Sequence, residues 1–223
     1  MYFYQYLFQN DTPFKTTIRN YTDSDFQQLI DIQKECFPPP FPSDLWWTEE
    51  QLENHVQLFP EGAICAEVDG ELAGSITTLI VNNHGEAHTW EEITDNGSIG
   101  THDPTGNALY VVDISVRPRY RKTGLGKLLM QALYHLVVEL KLESVLGGSR
   151  MPGFEKVKDQ MDPQVYLDRV IRGECIDPVV SFLMKAGRTP LKLMPNYLDD
   201  PESGNYGVLM QWKNPFFKKI KKI

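Results

Sequence analysis

Residues 109–140 read LYVVDISVRPRYRKTGLGKLLMQALYHLVVEL, and the fold is decided in that stretch. Residues 109–116 are largely apolar and β-branched, with Asp113 the one acidic residue among them. That is the pattern of a buried strand. At the other end Leu125, Leu128, Leu129, Ala132, Leu133, Leu136, Val137 and Leu140 recur at spacings of three and four, which predicts a long amphipathic helix. Between them Arg121-Lys122-Thr123-Gly124-Leu125-Gly126 makes a strand-to-helix turn with two glycines at the helix mouth. Glycine lets a bound group approach the backbone closely, and the start of a helix offers free N–H groups and the positive end of its dipole. Such a mouth suits phosphate. Arg117, Arg119, Arg121, Lys122 and Lys127 gather positive charge around it in a chain whose net charge is -8, a local reversal of sign that points to an anionic ligand.

Two nucleotide motifs are excluded by spacing. A P-loop needs Lys-Ser/Thr after its last glycine, but Lys127 precedes Leu128. The dinucleotide fingerprint needs a third glycine where Leu129 stands. Outside this stretch, 223 residues with 41% hydrophobic and 23% charged content suit one large globular domain, read as residues 1–217 with a basic tail at 218–223. The acidic balance argues against nucleic acid as a principal partner. Cys36, Cys65 and Cys175 are odd in number and form no CxxC pair, so they read as reduced thiols of a cytoplasmic protein. The N-terminal residues 1–15, MYFYQYLFQNDTPFK, lack a basic n-region and a long apolar run, so neither a signal peptide nor a membrane span is expected there.

In chain order, residues 14–19 read as a first strand. Thr22 then caps a helix burying Phe26, Leu29, Ile30 and Phe37, which Pro38 to Pro40 end. Thr48 and Gln51 form a capping box for a second helix that stops at Pro60. Residues 62–68 and 71–81 form a hairpin around Asp69-Gly70. A long polar insertion, 82–107, precedes the central strand, and 145–148 is a short strand after the long helix, giving a crossover between parallel neighbours. Asp162-Pro163 and Asp177-Pro178 start two further helices that end at Gly173 and Gly187. Residues 189–194 and 206–212 close the chain as a hairpin.

The run R-x-x-G-x-G after a V-x-P-x-Y strand end resembles the acetyl-CoA pyrophosphate loop of the GNAT acetyltransferase superfamily. The element order agrees with that fold, a mixed α/β sheet, here with an extra helix near 164–172 and a long loop before the central strand. HTWEEIT (88–94), THDPTG (101–106), LGGSRMPGF (146–154) and DPVVSFLMKAG with MPNYL (177–198) are similar to the GNAT-like domain found fused to carbon–nitrogen hydrolases.

The resemblance implies an N-acetyltransferase that moves an acetyl group from acetyl-CoA directly to a primary amine, with a small molecule as acceptor and no metal. A protein acceptor, or a non-catalytic acyl-CoA-binding module serving a partner enzyme, are the alternatives. A homodimer and a separate carbon–nitrogen hydrolase partner are further expectations; no nucleic acid or membrane partner is expected. By resemblance Ile114, Ser115 and Val116 hold the pantetheine, and Arg121, Lys122, Thr123, Gly124, Leu125, Gly126 and Lys127 hold the pyrophosphate. Arg117 or Arg119 is placed to meet the adenosine phosphate or to stand as a solvated rim charge.

Asp113, a carboxylate in an apolar strand, is the expected general base, because desolvation raises a carboxyl pKa. The tyrosine that many family members use to protonate the leaving thiolate is Leu183 here. Tyr197, in the Pro195-Asn196-Tyr197 loop, is the expected substitute, with an exposed loop tyrosine as the alternative. Arg150 is expected to hold an acceptor carboxylate, with packing against the Asp162 or Asp177 helix as the alternative. Should Asp113 prove structural, His88 and His102 of the insertion are next in line as bases; the irregular spacing of His84, His88 and His102 matches no zinc motif.

Overall fold

A computed structural model describes residues 1–82 and 87–218. Beyond Lys218, the basic tail read from the sequence lies outside the described residues, as does His84. Among the described residues eight strands form one mixed sheet in the order β1-β2-β3-β4-β5-β6-β8-β7.

The sheet begins with a strand that the sequence reading passed over. β1 (Tyr2–Gln9) pairs antiparallel with β2 (Thr12–Asn20), from Tyr2 opposite Arg19 to Gln9 opposite Thr12. The two-residue loop has both Asn10 (φ 47°) and Asp11 (φ 64°) left-handed, which matches the right-handed twist of the flanking strands. Alternation was hidden because the outward face is itself aromatic: Tyr2, Tyr4, Tyr6 and Phe8 are exposed while Leu7 is buried.

Helix α1 (Phe26–Cys36) buries Phe26, Leu29, Ile32 and Gln33, and Phe37 sits just past its end. In α2 (Glu49–Leu58) Thr48 Oγ1 accepts from the Gln51 N–H and the Gln51 side chain reaches back, the expected capping box. β3 (Ala63–Val68) and β4 (Glu71–Val81) form the hairpin around Asp69 (φ 52°) and Gly70 (φ 82°).

The central strand β5 (Ala108–Val116) pairs antiparallel with β4, with a register shift that places Thr77 opposite Asp113 and Thr78 opposite Val111. Val112 is therefore the extra residue of a β-bulge. On its other side β5 runs parallel to β6 (Ser144–Ser149) for only three pairs, from Ala108 opposite Ser144 to Tyr110 opposite Leu146. From Val111 and Gly147 onward the two strands diverge, and the opening between them positions the site.

The sheet's two faces are separated by strand alternation. Val116 and its partner Gly74 face α4 (Leu125–Glu139), whose Leu125 and Leu129 leave no room for a side chain at Gly74. Asp113 and Ser115 face the other way, toward Gln33 of α1. α4 buries the leucine stripe read from the sequence, from Leu125 to Val137.

The insertion is not a bare loop. Thr89 and Glu92 form a capping box for a short helix, α3 (Trp90–Thr94), and Trp90 is buried. The two Asp-Pro starts hold as well. Asp162 accepts from the Gln164 N–H at 2.8 Å to begin α5 (Pro163–Ile171), and Asp177 Oδ1 accepts from the Val179 and Val180 N–H groups, both at 2.9 Å, ahead of α6 (Val180–Lys185). β7 (Thr189–Met194) and β8 (Gly207–Lys213) form the closing hairpin, with β8 seated against β6.

Candidate active site

The divergence of β5 and β6 opens a cavity of about 140 Å³. Val111, Val112, Asp113 and Ile114 line one side, residues 147–150 the other, with Phe37, Phe41, Trp47 and Trp90 as an aromatic wall. Trp90 comes from the insertion and donates its indole N–H to the carbonyl of the bulged Val112 at 3.1 Å. The bulge and the insertion are thereby locked together.

Asp113 lies in this cavity, half-buried. Its Oδ2 accepts from Ser115 Oγ at 2.8 Å and from Gln33 Nε2 at 3.0 Å. Burial pushes its pKa up to about 6, against the opposing pull of those two hydrogen bonds and of the charge on Arg150. Desolvation wins, and the group titrates in the range useful to a general base. Gln33 was missed because a glutamine on a helix carries no sequence signal of its own.

Tyr197 is not the exposed loop residue its Pro-Asn-Tyr setting suggested. It is 2% exposed, lines the same cavity, and pairs hydroxyl to hydroxyl with Tyr110 at 2.9 Å. Tyr110 OH in turn accepts from the Gly148 N–H at 3.2 Å and meets His88 Nε2 at 3.0 Å. Burial raises the pKa of both tyrosines, Tyr197 well above its usual 10. A Cβ at Gly148 would lie 2.0 Å from Tyr197 Cζ, and one at Gly207 2.4 Å from its Cδ1. The two glycines form the slot for this ring.

His102 stacks on Phe59, 4.7 Å between ring centroids, and its Nδ1 accepts from the Ile80 N–H at 3.0 Å. Those contacts make it a packing residue. Leu183, at the family's tyrosine position, is buried and lines the cavity without a hydroxyl.

At the glycine turn, Gly124 (φ 94°) ends the loop and α4 starts with no side chain capping its first N–H groups. Arg121, Lys122 and Lys127 are exposed around it. Arg117 is different: it is buried, its Nε donates to Leu72 O at 2.7 Å and it pairs with Glu35. Arg119 pairs with Glu71. Of the two rim readings, Arg117 fits neither, since its fork is occupied inside the fold.

Arg150 is held on one edge by acidic partners inside the fold. It lines the cavity, but its guanidinium makes two 2.7 Å hydrogen bonds to Asp200 and one of 2.8 Å to Glu202. It stacks over Phe41 and Phe37 at 4.9 and 5.5 Å. Nε and Nη2 thereby tie the loop before β8 to the aromatic wall, while Nη1 takes part in none of these bonds. The other cation of the cavity is Arg188, which carried no motif and was missed.

Residues 26–148 match the Acetyltransferase (GNAT) family. An uncharacterized N-acetyltransferase, YkwB of Bacillus subtilis, is 53% identical over 205 residues, 91% of each chain. The probable hydrolase YhcX of the same organism is 39% identical over 90% of this chain, which spans only 39% of that longer protein.

Among solved structures, a GNAT-like decarboxylase, GphF, in complex with isobutyryl-CoA has a TM-score of 0.75 at 21% identity, covering 88% of this chain and 98% of the other. The loading GNATL domain of CurA from Lyngbya majuscula has a TM-score of 0.78 at 19% identity, covering 89% and 98%. The ribosomal-protein-S18-alanine N-acetyltransferase from Escherichia coli has a TM-score of 0.55 at 15% identity, covering 93% and 98%. These structural likenesses carry the fold alone. With the split β5–β6 pair, the uncapped glycine turn and the match across residues 26–148, the chain belongs to the GNAT acetyltransferase family.

Proposed function

We propose that this chain, as an acyl-CoA-dependent transferase, moves an acetyl group from acetyl-CoA directly to the primary amine of a small molecule. The observation that carries the reading is a carboxylate with a pKa near 6 lying in the cleft where two central strands part. From Val111 onward β5 has no strand partner on its β6 side, which leaves room for pantetheine along Ile114, Ser115 and Val116, although the Val116 carbonyl already accepts from Arg121 Nε and Cys36 Sγ. Arg121, Lys122 and Lys127, with the N–H groups at the Gly124–Gly126 turn, supply an anion site for the pyrophosphate.

In this reading Asp113, directly or through a water, takes the proton from the acceptor ammonium, and the free amine attacks the thioester carbonyl carbon. The C–S bond then breaks and the thiolate leaves, taking its proton from the Tyr197 hydroxyl, which lines the cavity, or from water. A cytoplasmic location belongs to the same reading, since Cys36, Cys65 and Cys175 are free thiols. No helix among the described residues is long and apolar enough to cross a membrane. Thiol release measured with a panel of amines tests the reading. Release without any amine dependence would instead mean hydrolysis, and no release with any amine would favour a binding module.

Two substitutions separate binding from chemistry. Ligand that binds only the folded protein raises its Tm, so acetyl-CoA at millimolar concentration should stabilise the chain. Gly124→Glu places a negative charge and a side chain at a left-handed position (φ 94°), and the stabilisation should disappear. A shift of the same size in the variant would remove this loop from the assignment. Tyr197→Phe keeps the ring in its slot and loses one buried hydrogen bond, worth about 1 kcal/mol. Turnover should fall less than tenfold if the thiolate leaves unprotonated; a hundredfold fall with unchanged acetyl-CoA affinity would make Tyr197 the acid.

A second activity in the same cavity is favoured by one observation. The two neighbours at TM-scores of 0.75 and 0.78 include a decarboxylase, while the alanine N-acetyltransferase stands at 0.55. Decarboxylation of a β-carboxyacyl-CoA needs no co-reactant: the bond to the carboxylate breaks, carbon dioxide leaves, and the resulting enolate is protonated. Carbon dioxide release from malonyl-CoA without an amine tests it.

A further inference from the structure

Arg188 is 4% exposed, and its Nε and Nη2 have no hydrogen-bond partner. It follows Gly187 at the end of α6, its own N–H donating to Leu183 O at 3.0 Å. Its side chain reaches back to the point where β5 and β6 part. A Cβ at Gly147 would lie 3.1 Å from Arg188 Nη1 and 3.3 Å from Val111 Cβ, so the missing side chain at Gly147 makes room for the guanidinium. Tyr134 of α4 neighbours it electrostatically, yet the Tyr134 hydroxyl donates to Ala186 O at 2.8 Å.

A buried guanidinium with half its fork unanswered is costly, and evolved cores rarely keep one without use. Elsewhere in the cavity the charges are answered inside the fold: Arg150 by Asp200 and Glu202, Asp113 by Gln33 and Ser115. Arg188 alone of these lacks a counter-charge, and it lines the cavity. Nε and Nη2 make up the side-on edge of a guanidinium, the geometry that takes both oxygens of a carboxylate.

We propose that Arg188 is the receptor for a substrate carboxylate, held side-on through Nε and Nη2 at the apex of the β5–β6 cleft. The inference rests on the acyl-CoA reading above and adds the chemical class of the ligand. By alternation Gly147, which faces Arg188, and Gly148, which faces Tyr197, lie on opposite faces of β6. Arg188 therefore shares the face of α4 and its uncapped N-terminus. Pantetheine running along 114–116 from that turn carries the acyl chain inward, toward Val111 and Arg188. That favours a carboxylate on the acyl chain over one on the acceptor.

Binding to the intact chain tests both sources, by calorimetry and by Tm shift. In one arm succinyl-CoA and malonyl-CoA are compared with propionyl-CoA and with CoA itself. In the other arm β-alanine and glycine are compared with their amides in the presence of CoA. The wild type should bind the carboxylated member of one arm about tenfold tighter or more. Arg188→Gln should lose that preference while binding CoA as before, and Arg188→Lys should keep part of it.

Because the guanidinium is uncompensated in the free protein, Arg188→Gln should leave the ligand-free Tm unchanged or higher. A Tm lowered by ten degrees or more would mark Arg188 as a structural strut and overturn the proposal. So would an absent preference in both arms, or one retained by Arg188→Gln. If CoA itself does not bind the wild type, the acyl-CoA reading falls and this inference with it. If CoA binds and neither arm discriminates, only this inference falls.

Discussion

Replacing Asp113 by asparagine should lower turnover by about a hundredfold or more, the usual scale for a lost general base, while the Tm shift produced by CoA survives. Asparagine is nearly isosteric and its carbonyl oxygen can still accept from Gln33 Nε2 and Ser115 Oγ, the two donors that hold the carboxylate. The wild-type rate should rise with pH through one ionisation near 6, and that limb should vanish in the variant.

Stability supplies an independent readout with a definite sign. The folded pKa, about 6, lies above the ordinary value near 4, so the folded chain holds the proton more tightly than the unfolded one. Stability therefore declines as pH rises from about 4 to about 6, and the deficit is constant above that. Asp113→Asn removes it. The variant should be more stable than wild type at pH 7 to 8, by something on the order of 2 kcal/mol, and close to it near pH 4. Near-normal turnover with the same pH limb would make Asp113 a structural partner of Gln33 and Ser115. The base would then be sought at His88, which already meets the Tyr110 hydroxyl, and not at His102, whose Nδ1 is occupied by the Ile80 N–H.

What could be read from the sequence follows the range of the interactions involved. Periodicity and capping are local, so α4, the Thr48–Gln51 box, the Asp69-Gly70 hairpin and the two Asp-Pro helix starts were legible. The parallel β5–β6 neighbours were legible because strand, helix and strand follow in one short run. β1 was not, since its apolar side chains occupy both faces and its turn, Asn10-Asp11, lacks glycine. α3 was hidden inside a segment read as polar, although its Thr89 and Glu92 stand at capping-box spacing.

The side-chain pairings of the site span long sequence separations. Arg150 finds Asp200 and Glu202 some fifty residues away, Gln33 finds Asp113 eighty away, and Tyr110 finds Tyr197 eighty-seven away. No spacing rule reaches that far. Arg188 was invisible for the opposite reason: what distinguishes it is two nitrogens without partners, which only a packed structure can reveal.

The Gly148 slot makes one such distant pairing testable. Gly148→Ala should destabilise the chain by about 3 kcal/mol or more, the upper range for overpacking a core. The added methyl would fall 2.0 Å from Tyr197 Cζ and 2.3 Å from its hydroxyl oxygen. The ring has little way out. Gly207 closes its other side, the Tyr197 N–H donates to Asn205 O at 2.9 Å, and the Trp90 N–H donates to Tyr197 O at 2.7 Å. Moving the ring would break its contact with Tyr110 and pull on the insertion through Trp90, whose indole holds the bulged Val112.

Tyr197→Ala alone should cost a comparable amount, about 3 to 5 kcal/mol for a deleted buried aromatic. In the double variant, however, the methyl enters space that the ring has vacated. Urea unfolding should therefore place the double variant close to Tyr197→Ala by itself, with a coupling energy of about 3 kcal/mol. Strict additivity would mean that the strain at Gly148 is relieved elsewhere, and that Tyr197 is not the reason for the paired glycines of β6.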